Sequence, residues 1–177
     1  MAYQEVTAGE SAPDVVNIII EIQKGGGRNK YETDKTTGLR ILDRVNATTL
    51  GYPEDYGYVP QTLCEDGDPL DTLLVVDEPI AHGTLVPARP IGVLYMIDDG
   101  EGDEKLICVA RDDISKEHIK SVDDLNPHFK KRVEHFYTHV KDWKNDWTGV
   151  KVQFKGWGDA EEAKKVIAES IARAKQN

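Results

Sequence analysis

The chain has 177 residues, 39% of them hydrophobic, and a net charge of −10. That length suits one domain spanning 1–177 with a core of its own, and the apolar content excludes a disordered chain. The negative charge argues against general nucleic-acid binding and anionic membrane surfaces, and no apolar run approaches the ~20 residues of a membrane helix.

The opening Met1-Ala2-Tyr3-Gln4-Glu5 lacks the basic and apolar parts of a signal peptide, so the expected location is the cytoplasm. Cys64 and Cys108 match no zinc or redox spacing and are expected as free thiols.

In chain order, residues 1–14 read as a polar surface arm. Val15 to Ile22 reads as a first strand, with Glu21 on the face opposite Ile18, Ile20 and Ile22. That acid either faces water or serves a site. Gly25-Gly26-Gly27 turns the chain; it is no nucleotide phosphate loop, because Asn29 rather than glycine precedes Lys30, and Tyr31 replaces Ser or Thr. Lys30 to Asp34 forms a strand with Lys30, Glu32 and Asp34 on one face, and Leu39 to Val45 forms another. The segment from Gly51 to Pro60, with three tyrosines, two prolines and two glycines, reads as a rigid irregular loop.

Two acidic turns follow. Asp66-Gly67-Asp68-Pro69-Leu70-Asp71 is stiffened by glycine and proline, and it precedes a strand ending near Val76. It is no EF-hand loop, since Leu70 and Asp71 stand where a ligand and a glycine are required. Asp98-Asp99-Gly100-Glu101-Gly102-Asp103 reads as a hairpin loop between strands Leu85 to Ile97 and Lys105 to Ala110. Either turn alone could be a solvated loop. Two carboxylate clusters at strand ends point to a shared cation site, since hard divalent cations take oxygen ligands. Pro87 and Pro90 suggest a bend or a sheet edge. The short strands suit a small barrel or sandwich.

Helices close the chain. Asn126 and Pro127 look like a cap and first helical residue, and Phe129, Val133, Phe136, Val140 and Trp143 share one apolar face. His135 and His139 lie one turn apart, but Phe136 replaces the glutamate of a zinc protease, so surface or interface histidines are expected. Val150 to Trp157 reads as a last strand. Asp159 and Glu162 form a capping pair for a final helix with Ala163, Val166, Ile167 and Ile171 inward.

Taken together, these residues resemble the soluble family I inorganic pyrophosphatases of the bacterial type. The resemblance runs from about Val15 to Lys175 and rests on Asp66 to Asp71, Glu21, Lys30-Tyr31-Glu32, Asp43-Arg44, Tyr52-Pro53, Tyr56-Gly57-Tyr58, Asp98 to Lys105 and Lys141-Asp142. It implies an α+β fold, mainly β: a five-stranded OB-like closed barrel with flanking C-terminal helices. It implies hydrolysis of pyrophosphate to two phosphates with several Mg²⁺ ions per site, Ca²⁺ being inhibitory, through a metal-bridged water or hydroxide and an aspartate base.

By the same resemblance, Asp66, Asp71, Asp98 and Asp103 match metal ligands and Asp68 the base. Lys30, Arg44, Tyr56 and Lys141 match phosphate-binding positions; Glu21, Glu32, Tyr52, Asp99 and Lys105 match a supporting shell. A homohexamer is implied, with His135 and His139 at a subunit interface.

The sequence departs from the family at three places: Val140 stands where tyrosine is common, Thr72 where an apolar residue is usual, and Asp99 where glutamate is common. Val140 is expected to weaken substrate binding unless Tyr137, on the same helix side as Val140 and Lys141, replaces the missing hydroxyl; the alternative is that Tyr137 simply packs. The alternatives are a hydrolase of another small phosphoanhydride and a cation-binding adaptor without activity.

Overall fold

The computed structural model describes residues 5–145, 147 and 152–176. Among these, eight strands occur: β1 (Val16–Ile22), β2 (Asn29–Thr33), β3 (Arg40–Val45), β4 (Asp55–Tyr58), β5 (Asp71–Val75), β6 (Leu85–Asp98), β7 (Glu101–Ala110) and β8 (Val152–Gly158). Two α-helices accompany them, α1 (Phe129–His139) and α2 (Ala160–Ala174).

The main sheet runs β1-β4-β5-β7-β6-β8, and β1 also pairs with β6. That extra pairing closes β1, β4, β5, β7 and β6 into a ring, leaving β8 outside it. β5 and β7 pair in parallel; the other ring pairings are antiparallel. β2 and β3 form a separate hairpin. This is the mainly-β, OB-like α+β architecture that the resemblance implies.

The ring closes because β6 is long enough to change partners. Its first part pairs with β1, Leu85 opposite Ile19 and Ala88 opposite Val16, and its last part pairs with β8. Pro87 and Pro90 fall where one side of β6 is unpaired: Pro87 lies just before the pairing with β7 begins at Ala88, and Pro90 lies between the stretch paired with β1, which ends at Ala88, and the stretch paired with β8, which begins at Val93. They mark a bend: the β6–β7 register slips between Pro90 and Gly92, where a missing N–H is tolerated.

The segment from Gly51 to Pro60 is not wholly irregular. Its Asp55–Tyr58 portion is the buried strand β4 between β1 and β5. Its acids hid it, because each is buried with a partner. Glu54 pairs with Lys24 and Arg132, both at 2.9 Å, and Asp55 accepts from the backbone N–H groups of Lys24 and Ile80 at 2.7 and 2.8 Å.

Side chains alternate along a strand, so β5, β6 and β7 each feed two cores. Leu73, Val75, Leu94, Met96, Ile107 and Val109 point to one, which α1 covers with Phe129, Val133, Phe136 and Tyr137. Leu74, Val93, Leu106 and Cys108 point to the other, which α2 covers with Ala163 and Ile167. Both cysteines are free and buried.

The α1 apolar face is buried as its spacing predicts, with Val140 continuing it and Trp143 half-buried. The helix start differs from expectation. His128 is the N-cap and supplies no side-chain bond, while the Asn126 side chain accepts from the His128 N–H at 2.9 Å. Asn126 thus closes the turn ahead of the helix, displaced by the two residues Pro127 and His128. The α2 capping box forms as expected, Asp159 accepting from the Glu162 N–H and Glu162 from the Asp159 N–H. Its Ala163 and Ile167 are buried; Val166 and Ile171 are half-buried. Residues 150–151, the expected start of the last strand, lie outside the described residues, as do 1–4 of the arm. The rest of the arm packs along β1, where the Asn17 N–H donates to the Ala8 carbonyl at 2.8 Å.

Candidate active site

The strand alternation that fills the α1-side core also builds the site. On β5 the core face reads Val75, Leu73, Asp71; on β7 it reads Val109, Ile107, Lys105, Asp103; on β6 it reads Leu94, Met96, Asp98. Each series is apolar in the α1-side core and becomes charged toward a cavity. Parallel pairing sets Asp71 opposite Lys105, and antiparallel pairing sets Met96 opposite Asp103.

These residues line a cavity of about 310 Å³, together with Lys30, Glu32, Asp43, Arg44, Asn46, Tyr52, Tyr56, Asp66, Asp68, Phe136, Tyr137, Val140, Lys141 and Val152. The cavity brings together all the expected phosphate-binding, metal and base residues, and Glu32, Tyr52 and Lys105 of the supporting shell. Glu21 and Asp99 are not on its wall. Glu21 lies instead on a neighbouring cavity with Arg28, Arg40 and His82. It does not face water. Only 4% exposed, it accepts from the Thr33 N–H at 2.6 Å and pairs with Lys35 at 3.1 Å, so it ties β1 to β2 beneath the site. Asp99 forms the hairpin tip with Gly100, their φ angles of 50° and 89° suiting a two-residue turn.

The acidic turn from Asp66 is stiff, as its composition predicts. The Asp66 carboxylate accepts from the Asp68 N–H at 3.0 Å, the Cys64 N–H donates to the Asp68 carbonyl at 2.8 Å, and Gly67 takes a φ of 88°. Asp66 and Asp68 remain exposed at the cavity mouth. Thr72, the departure next to Asp71, is fully buried, and its hydroxyl donates toward the Leu106 carbonyl at 3.4 Å.

Seven carboxylates line the cavity against four basic side chains, so its walls carry an excess of negative charge. The basic groups sit among the acids. Lys105 reaches Asp71 at 2.5 Å and Asp103 at 2.6 Å, Lys141 pairs with Asp98, and Lys30 pairs with Glu32 and, at 3.3 Å, with Asp43. Arg44 bonds Asp43 at 3.1 Å and the Asn46 side chain at 3.0 Å.

Burial works against the Lys105 ammonium, but Asp71 and Asp103 more than offset it, holding its pKa well above the lysine range. Burial raises Asp103, with Lys105 opposing and Asp71 adding to the rise. The Tyr52, Tyr56 and Tyr137 hydroxyls are all pushed upward, chiefly by burial, and stay neutral donors.

Sequence reasoning gave Asn46 no role. It is buried and steers the Arg44 guanidinium; its position two residues after Arg44 at a strand end was the available signal. Asp43, quoted for the resemblance without a role, bridges Lys30 and Arg44.

As the side chains stand, no group of three or more His, Cys, Asp or Glu among the described residues is arranged to hold a metal ion. The reason is visible: lysines occupy the spaces between the carboxylates. The donor set still fits a hard cation. It consists of aspartate oxygens, its charge is in excess, and the buried Asp98 Oδ1 has no hydrogen-bond partner. His135 and His139 form no such group either; their rings lie 4.7 Å apart on α1, and His139 Nδ1 lies 2.8 Å from Asp142.

An OB-like ring with a small charged cavity at one end, walled by aspartates, lysines, an arginine and tyrosines, is the frame of a hydrolase for a small anion. The chain belongs to the inorganic pyrophosphatase family, whose model, described as inorganic pyrophosphatase, matches residues 18–175. It is 42% identical over 176 residues to the inorganic pyrophosphatase of Xanthomonas campestris, covering 98% of this chain and 97% of that protein. Among solved structures, the Thermus thermophilus inorganic pyrophosphatase superposes with a TM-score of 0.91 at 37% identity, over 99% of both chains. The Neisseria gonorrhoeae inorganic pyrophosphatase gives 0.89 at 40% identity, over 98% of both.

Proposed function

We propose that the protein hydrolyses inorganic pyrophosphate to two orthophosphates with Mg²⁺, in the cavity at the end of the ring. The observation that carries the reading is the mixed charge of that cavity, seven carboxylates with four basic side chains inside about 310 Å³. A lone pyrophosphate would be repelled by such walls; pyrophosphate accompanied by cations matches both sets of groups.

Asp66, Asp71, Asp98 and Asp103 are the residues that would hold Mg²⁺. When bound, the cations neutralise phosphate charge and lower the pKa of water toward neutrality. The chain does the rest by placement. Lys30, Arg44 and Lys141 hold phosphoryl oxygens by charge-assisted bonds and steady the leaving phosphate. Asp68, fixed by its turn and open at the mouth, takes the proton of the attacking water at its carboxylate. Tyr56 donates to the anion, and Lys105 fixes Asp71 and Asp103 relative to each other. Glu32 and Tyr52 set the positions of Lys30 and of the aromatic wall, while Glu21 and Asp99 act at one remove, through β1–β2 packing and the hairpin turn.

We place the protein in the cytoplasm as a single domain over 1–177 that assembles with copies of itself as a homohexamer. Two buried free thiols suit a reducing compartment. No helix among the described residues is long and apolar enough to cross a membrane. Leu39, Leu42 and Val45, all strongly exposed on or beside β3, are surface that assembly would cover.

Phosphate release from pyrophosphate, triphosphate and ATP, each with and without Mg²⁺, tests the reading. Release from pyrophosphate only with Mg²⁺ is expected. Preferred cleavage of ATP would transfer the site to another phosphoanhydride, and no release from any of the three would leave an adaptor.

A further inference from the structure

We infer that the Tyr137 hydroxyl is a substrate-binding group that donates a hydrogen bond to a phosphoryl oxygen in the cavity, an inference that rests on the pyrophosphatase reading. Tyr137 is 8% exposed, lines the cavity beside Val140 and Lys141, and its hydroxyl has no hydrogen-bond partner. A buried hydroxyl without a partner is costly, and native structures leave few of them.

Only two cavity-lining residues carry such an orphaned atom among those described: Tyr137, a donor, and Asp98, whose Oδ1 is an acceptor. An anion that enters with cations would satisfy both at once, its oxygens accepting a hydrogen bond from the phenol and the accompanying positive charge facing the carboxylate. The groups already present do not serve. Lys105, with its Nζ 5.7 Å from the centre of the Tyr137 ring, is itself a donor with nothing to accept.

The ring is held for this role. Phe136 meets it edge-on at 5.1 Å between centroids, and the neighbouring Phe136–Tyr52 and Tyr52–Tyr56 contacts, at 4.7 and 5.2 Å, continue an aromatic wall. On the same helix side, Val140 offers that wall no polar atom, so Tyr137 supplies the hydroxyl of α1. Burial keeps the phenol neutral, hence a donor, through the physiological range.

Tyr137→Phe tests this directly, with pyrophosphate KM at fixed saturating Mg²⁺, calorimetric affinity for the non-hydrolysable imidodiphosphate, and thermal unfolding. The double variant Tyr137→Phe/Val140→Tyr moves a hydroxyl along the same face. The expected result is a ten- to hundredfold rise in KM and in the imidodiphosphate Kd at an unchanged or raised Tm, since bonds to charged groups are worth about that factor and the free protein loses only an unpartnered hydroxyl. Partial recovery is expected in the double variant. Values within twofold of the parent for both KM and Kd would overturn the inference. So would a loss that comes with a lowered Tm and is not recovered by the second hydroxyl, because that marks a packing role. Failure of the parent protein to hydrolyse pyrophosphate would be a failure of the functional reading, and the imidodiphosphate comparison would still decide Tyr137.

Discussion

Asp71→Asn is the substitution that separates the cavity's roles most sharply. Asp71 opens β5 and sits opposite Lys105 in register, 2.5 Å from its ammonium. It is also assigned to the cation site. Losing the charge should remove at least ~3 kcal/mol of transition-state stabilisation, a hundredfold or more in kcat.

The same change acts on stability through a different group. Lys105 is buried and would keep only Asp103, at 2.6 Å. Its pKa is raised in the folded protein, so its contribution is fully present below the ordinary lysine range and fades only as pH rises through the folded value. At neutral pH the whole effect is therefore measurable. One lost bond to a charged group, ~1.5–3 kcal/mol, corresponds to a Tm lower by about 3–12 °C for a chain of this size.

Asp99→Asn is the comparison. It sits at a φ of 50°, which asparagine adopts readily, and it does not line the cavity, so kcat should change by less than about tenfold. Initial rates of phosphate release at saturating Mg²⁺ decide. Equal losses in the two variants would refute the division between cavity wall and hairpin tip.

Excess EDTA should abolish phosphate release and Mg²⁺ restore it, and undiminished activity after metal removal would end the cation mechanism. Calcium should bind yet support little turnover, because it takes more ligands in looser geometry; rates equal to those with Mg²⁺ would contradict this. Glu21→Gln should raise Tm at neutral pH and lose that advantage in acid. Burial raises the Glu21 pKa despite Lys35, so its charged form costs stability above the ordinary carboxylate range and the cost disappears below it. An identical Tm difference at both pH values would show that the shift is not expressed. Light scattering at neutral pH and micromolar concentration should give a homo-oligomer mass; a monomer mass would refute the assembly.

The strands were legible where apolar residues run together, as Ile18 to Ile20 in β1 and Leu106 to Ala110 in β7, and the acidic turns were legible from glycine set among carboxylates, although the second narrows to a two-residue tip, Asp99-Gly100, between β6 and β7. β4 was not, because Asp55 at its start and Glu54 just before it are buried against partners distant in sequence, the backbone of Ile80 and Arg132. No local pattern reports such a partner. The same holds for Glu21, whose place opposite three isoleucines left water and a site equally open, and whose partners, Thr33 and Lys35, come from and just beyond β2. Ring closure was expected only through the family resemblance, and local pattern did not show it for a related reason. The prolines of β6 carry the signal of a bend, but nothing in the sequence says that β1 uses that bend to pair on the far side.

The coupling between core and cavity follows from register. Asp71 and Leu73 share a face of β5, as Lys105 and Ile107 do of β7, so a one-residue slip between these parallel strands would move the charged residues to the other face along with the apolar ones. The ring therefore cannot keep its α1-side core while losing the ion pair of Lys105 with Asp71 and Asp103. Lysines set among the acids let this happen without a bound ion: they hold carboxylates together that would otherwise repel, and they do so with donors that an incoming phosphate can also use. On the proposed reading, aspartates that held a cation would need their lysines less, and Lys141 would be free to face the anion. On that account the walls are arranged for the charge of the substrate complex, which explains why a cavity so rich in negative charge is formed from lysine and arginine as well as aspartate.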